Sequence, residues 1–113
     1  MCSVDEDAVL LFVRNRVPSA WTLDLLLLLY RGHASAWTCD VLVRELRATS
    51  IVVMQSLGEL MDAGVIAEAD DGRYVYCPHT PELAALIDDL AALYVQKPVT
   101  VLKTIFAPSG KVS

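Results

Sequence analysis

Cys77, Pro78 and His79 stand together, and Cys39 and His33 supply the thiol and imidazole that could join them. Thiolate and imidazole suit zinc, yet Cys77-x-His79 repeats no established ligand spacing, and Cys2, Cys39 and Cys77 form no CxxC pair. The expectation is reduced thiols, with Cys77 facing inward beside Val75, and neither a metal nor another cofactor. A Cys-His nucleophile and base would need a cleft to bring them together, and 113 residues leave little concavity for one. No enzymatic activity is expected. Tyr74 and Tyr76, two apart, share one face of a strand; they could stack on unpaired bases, but packing across a hairpin or against a partner subunit is the simpler role.

The length suits one domain. With 55% hydrophobic and 20% charged residues the chain is not disordered, and it carries more apolar surface than a small globule easily hides. A homodimer interface would absorb the excess. The net charge of −5 repels nucleic acid at long range unless cations gather on one face. The longest apolar block, Leu25 to Tyr30 with Leu23 just before it, is too short to span a bilayer, and Asp5, Glu6 and Asp7 stand where a signal peptide would be basic. A cytoplasmic protein with no membrane partner is expected.

These residues must be held by a series of short elements. Ser3 to Glu6 reads as a capping box opening a first helix that stops before Pro18. Ser19 caps a second helix through the leucine block to Gly32; because its leucines point all round, it must be covered on several sides. Ala36-Trp37 is extended, and Thr38 caps a helix with Leu42, Val43 and Leu46 on one face. Thr49 or Ser50 caps the next, with Val53, Met54, Leu57, Leu60 and Met61 expected inward until Gly64. Val65 to Cys77 then alternates around Asp71-Gly72, a hairpin signal. Thr80 and Pro81 start a long last helix carrying Leu83, Leu86, Ile87, Leu90, Leu93 and Tyr94 inward, which Pro98 either kinks or ends. The segment from Pro108 to Ser113 is expected to be loose.

The order helix, short strand, helix, helix, hairpin, helix, together with Ser56-Leu57-Gly58-Glu59-Leu60-Met61-Asp62-Ala63-Gly64-Val65-Ile66, resembles the recognition-helix end of MarR-like bacterial winged-helix transcriptional regulators. The resemblance covers roughly residues 19 to 95. It implies a winged helix-turn-helix; with the first and last helices read above, the expected fold is α+β and mostly helical, a winged helix-turn-helix with an added N-terminal helix and a long C-terminal helix, the apolar surplus of these two terminal helices forming the dimer. It also implies a regulator that binds duplex DNA as a homodimer, with the helix after Thr49 in the major groove and Arg73 of the wing over the backbone.

On that helix the outward positions are expected to be Ile51, Val52, Gln55, Glu59 and Asp62, none of them basic. Gln55 could read an adenine edge, while Arg44, Arg47 and Arg73, with Ser50 at the helix start, would make the DNA contacts. The alternative is a winged-helix protein-protein module, an adaptor or regulator without DNA affinity. Its partner would bind through Ile51 and Val52 with Glu59 and Asp62 as an acidic rim. In either case Leu90, Leu102 and Phe106 are expected in the dimer interface.

Overall fold

Four hydroxyl side chains punctuate the chain. In the computed structural model, which describes residues 6–106, Ser19, Thr38, Thr49 and Thr80 each accept the backbone N–H three residues on, those of Thr22, Val41, Val52 and Leu83. Each such cap contributes about 1 kcal/mol. They open α2 (Ala20–Arg31), α3 (Cys39–Leu46), α4 (Ser50–Asp62) and α5 (Pro81–Gln96). Before them lies α1 (Glu6–Arg16), acidic in its first turn and basic in its last, as the helix dipole favours. Ser3, at the head of the expected capping box, lies outside the described residues, as do Cys2 and the segment from Pro108 to Ser113.

Pro98 ends one helix and begins another. Gln96 closes α5, the Lys97 N–H donates to Leu93 O at 2.6 Å, and Pro98 opens α6 (Pro98–Phe106), where its missing N–H costs nothing. Lys97 Nζ also meets Glu6 Oε1 at 3.2 Å, tying this corner to the start of α1.

The hairpin pairs β1 (Ile66–Glu68) with β2 (Tyr74–Tyr76), antiparallel, with Ile66 opposite Tyr76. Its loop is Asp70-Asp71-Gly72, with Gly72 at φ 81°, the left-handed position that glycine fills without a Cβ clash. A third extended residue joins the sheet: Trp37 N donates to Tyr74 O at 2.8 Å and Tyr74 N to Trp37 O at 2.7 Å. The Trp37 ring lies against Gly32, and its Nε1 donates to Gly32 O at 3.3 Å. A Cβ on Gly32 would collide with the Trp37 ring. Gly32→Ala is therefore expected to displace the indole and cost about 1–3 kcal/mol, read as a lowered thermal midpoint.

The core centres on α2, where Leu23, Leu25, Leu26, Leu27 and Leu29 are all buried. Helices α3 and α4 with the hairpin cover one side. Helices α1, α5 and α6 pack on one another and contribute Val9, Val13, Ile87, Leu90, Leu93 and Val101 to the same core. This packing corrects one expectation. Leu90 is 0% exposed within a single chain, so it is a core residue and no part of a dimer interface. Leu102 is half-buried on α6, and the side chain of Phe106 lies outside the description. The architecture is α+β and mostly helical, with one small antiparallel sheet. Among the described residues no helix is long and apolar enough to cross a membrane.

Candidate functional site: the outer face of the fourth helix

Helix α4 carries thirteen residues and no Lys, Arg or His. Its buried side is Val53, Ser56, Leu57 and Leu60. Facing out are Ile51, 77% exposed, Met54, 52%, and Met61, 36%, with exposed Gln55 and Asp62 and half-buried Gly58. At 100° per residue these six positions fall within an arc of about 120°. A Cβ built on Gly58 meets nothing within 4 Å, so the middle of this face is open.

Met54 and Met61 are thus outside, contrary to the expectation that they line the core, and a polar contact explains the rotation. Thr22, fully buried at the start of α2, donates its hydroxyl to Glu59 Oε1 at 2.8 Å and stands 3.2 Å from Ser56 Oγ; Ser19 Oγ lies 3.0 Å away. The Ser56–Glu59 edge of α4 faces α2 and brings partners to that buried hydroxyl. The opposite edge, with both methionines, turns to solvent. Glu59 is consequently half-buried and held by Thr22 instead of forming a free acidic rim, and Val52 is half-buried too. The signal in the sequence was Thr22 within an apolar helix and Ser56 within an apolar run, two small polar groups suited to a close crossing.

The cations divide into two sets. Arg44 and Arg47 are exposed, and neither forms an ion pair among the described residues. Arg47 caps α3 at φ 55°, a left-handed conformation unusual for a residue with a Cβ. Arg73 is committed locally: its Nε lies 3.5 Å from Asp71 Oδ2, and its backbone N donates to Asp71 Oδ1 at 3.1 Å. The hairpin loop, with Asp70 beside Asp71, presents a net negative charge. Ser50 is exposed at the first turn of α4 beside the Thr49 cap.

No family model, curated protein or solved structure matches the chain.

Cys77 corrects another expectation. It is exposed, whereas Tyr74 is buried and Tyr76 half-buried, so the inward set on β2 is the tyrosines. His33 and His79 are exposed, and no three His, Cys, Asp or Glu side chains gather at metal-binding distance among the described residues.

A second cluster lies between the end of α2, β2 and α5. Tyr30 and Tyr76 meet edge to face, with ring centroids 5.4 Å apart at 88°, and the Tyr30 hydroxyl donates to Asp88 Oδ1 at 2.7 Å. The Tyr76 hydroxyl oxygen is buried and has no hydrogen-bond partner. Burial, with Asp88 and Tyr30 adding to it, pushes the Tyr76 phenol up to about 12, and the Tyr30 phenol is raised chiefly by its bond to Asp88. A phenol whose folded pKa exceeds its unfolded value adds stability that is complete below pH 10 and disappears as pH rises through about 12. Alkaline melting curves should fall across that window, and Tyr76→Phe should flatten the fall.

Proposed function

We propose that the chain is a winged-helix interaction module that docks another protein on the outer face of α4. The winged-helix reading draws on the helix pair α3–α4, the following hairpin, and the Trp37–Tyr74 bridge that adds a third extended segment to it. The docking reading rests on one observation: the surface of α4 that a DNA-binding winged helix would place in the major groove is apolar, with Ile51, Met54 and Met61 exposed and not one cation on the helix. Exposed methionines adapt to apolar partners, while a helix face without a single cation offers phosphate nothing to pair with. Asp62 beside the apolar stripe and the net charge of −5 select a partner with an apolar anchor flanked by basic residues.

Duplex DNA is the second reading, favoured by Arg44 and Arg47, which are exposed and form no ion pair among the described residues. These two per chain are few for a protein that must hold the duplex backbone, and Arg73 is already shared with Asp71. Fluorescence anisotropy with a mixed-sequence duplex at low salt separates the readings. The module reading expects no saturable binding. Saturable binding that falls with salt and is lost in Arg44→Gln/Arg47→Gln would replace it with the regulator reading.

A further inference from the structure

The cleft lined by Tyr30, Arg31, His33, Tyr76 and Asp88 has a volume of about 370 Å³, room for a ligand of amino-acid size, and it lies away from α4 on other elements. Its chemistry is two-ended. On one side two tyrosine rings stand nearly perpendicular beside the Asp88 carboxylate, an arrangement that attracts an ammonium by charge and by the ring faces. On the other, the exposed Arg31 makes no salt bridge among the described residues, its charge acting at longer range on Asp24 of the same helix, and His33 is exposed with Nδ1 3.1 Å from Tyr30 O. Within the first side sits the Tyr76 hydroxyl, buried and unpartnered. Native proteins rarely leave such a group unsatisfied, because desolvating it without a partner is costly.

We infer that this cleft binds a small zwitterionic amine, its ammonium between Asp88 and the Tyr30–Tyr76 corner and its carboxylate on Arg31. Asp88 Oδ1 already accepts the Tyr30 hydroxyl, so the carboxylate's other oxygen takes the ammonium. A second ammonium hydrogen gives the Tyr76 hydroxyl oxygen its missing partner. Arg31 explains why the ligand carries an anion as well: a simple amine would bring its charge close to the guanidinium uncompensated.

The test is protein-detected NMR titration with glycine, β-alanine and 4-aminobutyrate, whose two charges are spaced differently, run beside propylamine and propionate. At least one zwitterion should give saturable shifts in the backbone resonances of Tyr30, Tyr76 and Asp88, with propylamine and propionate each about tenfold weaker or worse. Asp88→Asn keeps an acceptor for Tyr30 and removes only the charge; it should weaken that zwitterion by about tenfold or more. Tyr76→Phe should weaken it several-fold, and Arg31→Gln should erase the preference for the zwitterion over propylamine. Asp88 and Arg31 are exposed, so unchanged amide spectra outside the cleft establish that these variants are folded. No saturable shift with any zwitterion, or saturable binding indifferent to Asp88→Asn, would overturn the assignment.

Discussion

Leu90→Asp should unfold the protein. The side chain is fully buried on α5 in the layer that α5 forms with α1 and α6. A carboxylate there has no partner to offset its desolvation, and the cost, about 4 kcal/mol or more, is comparable with the whole stability of a small domain. Leu90→Ala gives the graded version, about 2–5 kcal/mol from lost burial and the cavity left behind. Both effects should be independent of protein concentration in thermal melts, because the contacts broken lie within one chain. A midpoint that rises with concentration in the native protein and ceases to do so in Leu90→Ala would instead place this residue between subunits.

Ile51→Asp/Met54→Asp should do the opposite, leaving the fold alone while destroying the proposed docking on α4. Both side chains are more than half exposed, so little native packing is lost. Asp at position 51 gains slightly from the helix N-terminus and Asp at 54 loses slightly in helix propensity, a net change within about 0.5 kcal/mol. Against the partner protein, two carboxylates placed in an apolar interface centre should weaken binding by about a hundredfold or more. Calorimetric melting and an equilibrium titration with that partner check the two halves. A large fall in the melting midpoint would mean that the α4 face belongs to the core.

The start of each capped helix was legible in the sequence because a cap is a local event: Ser19, Thr38, Thr49 and Thr80 each need only a backbone N–H three residues away. The hairpin was legible for the same reason, since Gly72 alone satisfies the positive φ of its loop. What failed depended on partners distant in the chain. A helical wheel assigns apolar residues inward, but the phase of α4 is fixed by Thr22, more than thirty residues earlier, through Ser56 and Glu59. Leu90 read as surplus apolar area because a sequence does not say whether the layer that covers it comes from its own chain; here α1 and α6 form that layer with α5. On β2 the alternation was legible but its phase was not. A shift of one residue exchanges the faces, and the Trp37 bridge with the Tyr30 edge contact holds Tyr74 and Tyr76 inward, leaving Cys77 exposed.

Of the candidate site, Ile51, Gln55 and Asp62 were readable as outward. The two methionines that make the face apolar were not, and it is they that shift the balance from nucleic acid to protein.

That shift is tested most directly by placing a photo-cross-linking amino acid at Met54, and at the exposed Val95 of α5 as a control, in the organism that makes the protein. A protein-docking face predicts one discrete protein adduct from position 54, absent at position 95 and lost when Met61→Asp is added. Adducts to nucleic acid from position 54, or the same adducts from both positions, would contradict it.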